Sequence, residues 1–78
     1  MASRPTARLP ITHKGKLVVE PWATEVQLDG KLPCELIAMA EDQPWFEIDR
    51  SNGCLTVYVN GRAAEFEVLL DGKVVAEC

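Results

Sequence analysis

WFEIDRSNGCLTVYVNGRAAEFEVLLDGKVVAEC, residues Trp45 to Cys78, decides the fold. Three X-Gly pairs punctuate it: Asn52-Gly53, Asn60-Gly61 and Asp71-Gly72. Apolar residues alternate on either side of them. Such pairs suit type I′ turns, which need positive φ at both central positions, and they signal β-hairpins. The stretch therefore reads as four strands of an antiparallel meander.

The three turns can be tested against one another, because residues facing each other across an antiparallel pair share a side of the sheet. A two-residue loop at Asn52-Gly53 sets Phe46 against Val59, Ile48 against Val57 and Arg50 against Leu55. One at Asn60-Gly61 sets Val57 against Ala64 and Leu55 against Phe66. One at Asp71-Gly72 sets Val68 against Val75. The pairings agree and put Phe46, Ile48, Leu55, Val57, Val59, Ala64, Phe66, Val68, Leu70 and Val75 on one inner face. A slip of one residue would turn a whole strand's apolar set outward. The outer face then carries Glu47, Asp49, Tyr58, Glu65 and Glu67, with Leu69, Val74 and Ala76 at its apolar end.

Upstream, Lys16 to Trp22 reads as a first strand, stopped at Pro21. Thr24 to Leu28 alternates cleanly, with Val26 and Leu28 inward. Asp29-Gly30 is a fourth turn signal, which pairs this strand with Leu32 and Cys34 if the loop runs through Lys31. Residues 33–44 admit two readings. Leu32, Cys34, Leu36, Ala38 and Ala40 alternate as a strand, whereas Ala, Leu, Met and Glu favour a short helix around residues 34–42. The strand reading is preferred because a hairpin signal precedes it. Residues 1–14 hold two prolines and scattered basic residues and read as a flexible basic arm. The expectation is an all-β domain over residues 15–78. It is a meander of about six strands curling toward a barrel or half-barrel, or an α+β variant if the helix forms.

A chain of 78 residues is one domain. At this size the core is marginal, so a homodimer or a permanent partner is a natural expectation. Eight Lys and Arg stand against twelve Asp and Glu, a net charge of −4. The division is uneven: residues 1–16 carry +4 and residues 17–78 carry −8. An acidic body disfavours direct nucleic-acid binding, which needs Lys and Arg at the phosphates. The three cysteines, Cys34, Cys54 and Cys78, have no paired spacing and suggest free thiols in a reducing cytoplasm. Cys34 reads as a core residue, Cys54 as one beside a turn and Cys78 as exposed. No apolar leader or membrane-length run is visible.

Chemistry-bearing motifs are missing. The sequence has no phosphate loop, no GxGxxG, no nucleophile elbow and no HExxH. Its only histidine, His13, lies in the basic arm, away from any scaffold for a triad. Glu65 and Glu67 stand roughly 7 Å apart on one strand, but an open sheet face does not raise one carboxyl's pKa as a glycosidase needs. The expectation is no enzyme, no cofactor, no metal and no small-molecule substrate.

What remains is a binding surface. The acidic outer face is either simply solvated, as one-sided sheets are, or it meets a protein partner with a basic surface. The second alternative describes a small inhibitor or adaptor that occupies a basic or nucleic-acid-binding surface. Phage-encoded anti-defence proteins of the anti-CRISPR kind are a class-level analogy. Its contact residues would be Glu47, Asp49, Tyr58, Glu65 and Glu67, with apolar contacts from Trp22, Trp45, Leu69 and Val74. A structural or assembly subunit of a larger complex or virion is the alternative, resting on the exposed Leu69-Val74 pair.

Overall fold

The computed structural model describes residues 4–78 and contains, among them, eight strands and no helix. These are β1 (Thr6–Ile11), β2 (Lys14–Glu20), β3 (Thr24–Asp29), β4 (Cys34–Met39), β5 (Trp45–Ser51), β6 (Cys54–Asn60), β7 (Glu65–Leu70) and β8 (Lys73–Glu77). They form two curled four-stranded sheets, β1-β4-β7-β8 and β3-β2-β6-β5. The domain is thus all-β, as expected, but the sheets stack instead of closing into a barrel. Cys34–Met39 is a strand, so the helix around residues 34–42 does not form. Among the described residues no helix is long and apolar enough to cross a membrane.

Alternation builds the core. β2 sends Leu17 and Val19 inward, and β6 sends Leu55, Val57 and Val59. From the other sheet come Leu36 and Ala38 on β4 and Phe66 and Val68 on β7. Every one is buried, and burying each large side chain is worth roughly 1.5–3 kcal/mol. Trp22 packs on Phe66 with ring centroids 4.6 Å apart. Cys34 lies in this core, and burial pushes its thiol pKa up.

Two of the three meander turns are hairpins. Asn52-Gly53 (φ +52° and +74°) joins β5 to β6 with Phe46 opposite Val59, Ile48 opposite Val57 and Arg50 opposite Leu55. Asp71-Gly72 (φ +52° and +77°) joins β7 to β8. A bulge between Val68 and Leu69 then shifts the register, so Val68 faces Ala76 and not Val75. Ala76 therefore packs against the core, and Val75 is exposed.

Asn60-Gly61 is not a hairpin. β6 and β7 lie in different sheets, so the expected pairs Val57-Ala64 and Leu55-Phe66 do not form. The edges of β6 are taken by β5 and β2, and those of β7 by β4 and β8. The inward sets of β6 and β7 still meet, but across the core. Asp29-Gly30 likewise carries the chain from one sheet to the other, so β3 does not pair with β4.

The N-terminal expectation also needs correction. Thr6–Ile11 is the edge strand β1, paired along its length with β4 from Thr6-Met39 to Ile11-Cys34. Ile11 is buried and Leu9 packs on the core, so the domain does not begin at residue 15. Pro10, which made the segment look like an arm, sits on an edge strand, where a missing N–H is tolerated. Residues 1–3 of that expected arm lie outside the described residues. β2 runs parallel to β6, pairing Leu17 with Leu55 and Val19 with Val57, so the sheet is not purely antiparallel.

Candidate functional site

The crossing at Asn60-Gly61 splits the acidic face anticipated from the sequence. Glu47, Asp49 and Tyr58 stand on the outer surface of β5 and β6, in the β3-β2-β6-β5 sheet. Glu65 and Glu67 stand on β7, on the outer surface of the other sheet. The two groups point away from each other across the sandwich. Leu69 and Val74 accompany the second group as a direct cross-strand pair.

The two Trp residues also part. Trp22 packs against Phe66 and the core. Trp45 opens β5 and is 56% exposed. It faces Asn60 across the β5–β6 ladder, with Tyr58, 43% exposed, in the next row on the same side. Diagonal neighbours of this kind lie about 7–8 Å apart, within reach of aromatic side chains.

Register neighbours place Glu20 of β2 beside Tyr58, and Tyr58 beside Glu47. The row across the sheet thus runs carboxylate, phenol, carboxylate. The Asn60 side-chain amide donates to Glu47 Oε1 at 3.4 Å. The Oε1 oxygen of Glu20 is buried and makes no hydrogen bond. In the next row Asp49 faces Thr56, which neighbours Val18 and then Glu25. Lys14 and Lys16 of β2 are cations on this same surface, and Lys16 pairs with Glu25 at 3.4 Å.

The opposite surface is more nearly neutral. Arg4 meets Glu65 at 3.3 Å and donates to the Ala63 carbonyl at 2.6 Å. Arg8 meets Glu35 at 3.0 Å. The basic residues next to the N-terminus therefore lie on carboxylates of this sheet, and Glu65 is already paired.

Sequence reasoning missed Glu20, Glu25 and Asn60. Alternation marks Glu20 as outward, but only the parallel β2–β6 pairing brings it to Tyr58, and no local signal announces that pairing. A cavity of about 290 Å³ opens at one end of the sandwich beside His13, Leu28, Asp29, Lys31 and Cys34. His13 Nε2 is buried without a hydrogen-bond partner. Among the described residues no three His, Cys, Asp or Glu side chains converge as metal ligands would.

Comparison with protein-family models, with curated proteins and with solved structures gives no match for this chain.

Proposed function

We propose that this protein is a non-enzymatic binding module whose outer β2-β6-β5 surface receives a basic region of a partner protein. The observation that carries this reading is the row Glu20, Tyr58, Glu47 beside the exposed Trp45. A partner Arg or Lys seated on Tyr58 or Trp45 gains a cation–π contact. It also finds the carboxyl groups of Glu20 and Glu47 on the two flanks of Tyr58. Exposed aromatics of this kind are the usual anchors of protein interfaces. The contact set is therefore narrower than the sequence suggested: Glu47, Asp49, Tyr58 and Trp45 are kept, Glu20 is added, and Glu65 and Glu67 are left out. If the basic region normally holds nucleic acid, occupying it inhibits the partner, as an anti-defence protein does.

An arginine-rich peptide serves as the probe, with Trp45 fluorescence and amide chemical shifts as readouts. Glu47→Lys with Asp49→Lys is expected to weaken binding at least about tenfold at low salt. Glu65→Lys with Glu67→Lys is expected to change it far less. Equal losses from both pairs, or no loss from the first, would refute the proposed surface.

A second reading, a structural or assembly subunit, rests on the Leu69-Val74 pair. It concerns the other sheet.

A further inference from the structure

The outer surface of β1-β4-β7-β8 is ordered in an unusual way. One row of register neighbours reads Arg8, Ile37, Glu67, Glu77 from β1 to β8. The next reads Pro10, Glu35, Leu69, Val74. Charge is thus sorted along the first row: a cation at the β1 edge, an apolar centre, and two acids at the β8 edge. Glu67 and Glu77 face each other directly, a like-charge pair that costs stability in an antiparallel ladder. Neither is in an ion pair among the described residues. Arg8, at the opposite end of the row, has a side chain 63% exposed even while it touches Glu35.

We propose that this surface binds a second copy of the same chain, stacked face to face about a two-fold axis parallel to the strands. That axis reverses the strand order, so β1 of one copy lies over β8 of the other. Arg8 of each copy comes to the Glu67-Glu77 pair of its mate, and both contacts form twice. Pro10 and the aliphatic stem of Glu35 meet Val74 and Leu69, which covers the apolar part of the face. The charge pattern is self-complementary in this arrangement and self-repelling if the copies are not reversed. It also answers the small size of the domain, which has free cysteines instead of disulfides.

The area sets the expected strength. Four strands about 4.8 Å apart and about 20 Å long offer a plan of about 400 Å² per copy, at the small end of specific interfaces. A contact this small makes a weak, transient dimer, and a dissociation constant on the order of 10 μM is the working value for its test.

Sedimentation equilibrium between about 1 μM and about 500 μM tests the idea, spanning the expected constant on both sides. The unaltered chain should pass from monomer to dimer over that range. Arg8→Glu, Glu77→Arg and Val74→Glu should each raise the dissociation constant at least about tenfold. All three positions are exposed, and circular dichroism checks that each variant folds. The double variant Arg8→Glu/Glu77→Arg should return to within about threefold of the original constant, because the swap restores the pair across the axis. Glu47→Lys, on the other sheet, should change nothing, which separates this proposal from the binding surface above. A monomer at the highest concentration overturns the assignment and leaves the face to a different protein. A dimer insensitive to Arg8→Glu, or one that the double swap does not restore, also overturns it.

Discussion

The same dipeptide, Asn-Gly, does two different things in this chain. At Asn52-Gly53 both residues take positive φ and the chain folds back on itself, pairing Ser51 with Cys54. At Asn60-Gly61 only the glycine is positive, at +149°, and a second positive φ falls on Ala63. There the chain leaves one sheet and enters the other. The surroundings explain the contrast. Gly53 has no atom within reach of an added Cβ, whereas a Cβ on Gly61 would stand 2.7 Å from that of buried Ala40. The Asp42 carboxylate accepts from the Arg62 N–H at 2.7 Å, and the Arg62 carbonyl accepts from the Glu41 N–H at 2.8 Å. The first turn is a free tip, and the second is docked on the β4–β5 loop. A dipeptide sets which turns are available, and contacts from distant residues choose among them.

The largest expected effect separates the strands on either side of the crossing. A single meander sheet would give Phe66 and Ile48 the same inner status. In the sandwich Phe66 is 1% exposed beneath Trp22, and Ile48, on edge strand β5, is 50% exposed. Phe66→Ala should cost about 3–5 kcal/mol, and Ile48→Ala about 1 kcal/mol or less. Urea titration of both variants measures the gap. Equal costs would mean that β5 is covered and that the two-sheet arrangement is wrong.

A second test compares the two turns directly. Gly61→Ala meets both a disallowed φ and a packed neighbour that cannot retreat, so it should lose about 3 kcal/mol or more. Gly53→Ala meets only the left-handed φ, in open space, and should lose about 1 kcal/mol. The same denaturation midpoints decide the matter. Similar losses at both positions would show that the crossing turn is not pressed against Ala40.

These contrasts explain how much of the molecule could be read in advance. The alternation of Leu55-Val57-Val59 and of Phe66-Val68 is a local property, and their burial followed from it. The hairpins at Asn52-Gly53 and Asp71-Gly72 are equally local. The parallel pairing of β2 with β6 joins residues about forty positions apart, and the bulge that turns Val75 outward leaves no mark in composition. The acidic face was the casualty. Its members do alternate outward, but outward means two opposite directions once the chain changes sheet at Gly61. Strand β1 was hidden for a different reason. Arg4 and Arg8 read as the charges of a solvated arm, and only the finished sheet supplies Glu65 and Glu35 as their partners.

The other crossing, at Asp29-Gly30, allows the finest test, because its turn is held by a titrating group. Asp29 Oδ1 accepts from the Lys31 N–H at 2.8 Å and from the Leu32 N–H at 3.3 Å. The Lys31 bond first, and the Leu32 bond after it, hold the Asp29 carboxyl below its ordinary pKa. A depressed folded-state pKa means that the stabilisation is fully present above the unfolded value, about 3.9, and fades as pH falls through the lower folded value. Asp29→Ala should therefore lower stability at pH 7, and the difference from the unaltered chain should shrink steadily below about pH 4. Asp71 makes the matching comparison, since it closes a hairpin through its own positive φ and makes no such side-chain bond among the described contacts. Asp71→Asn should leave stability at pH 7 nearly where it was, because Asn also tolerates the left-handed region. If Asp29→Ala instead shifts stability by the same amount at pH 3 and pH 7, the carboxylate does not hold this crossing. The loop would then owe its path, like the one at Gly61, to packing against its neighbours.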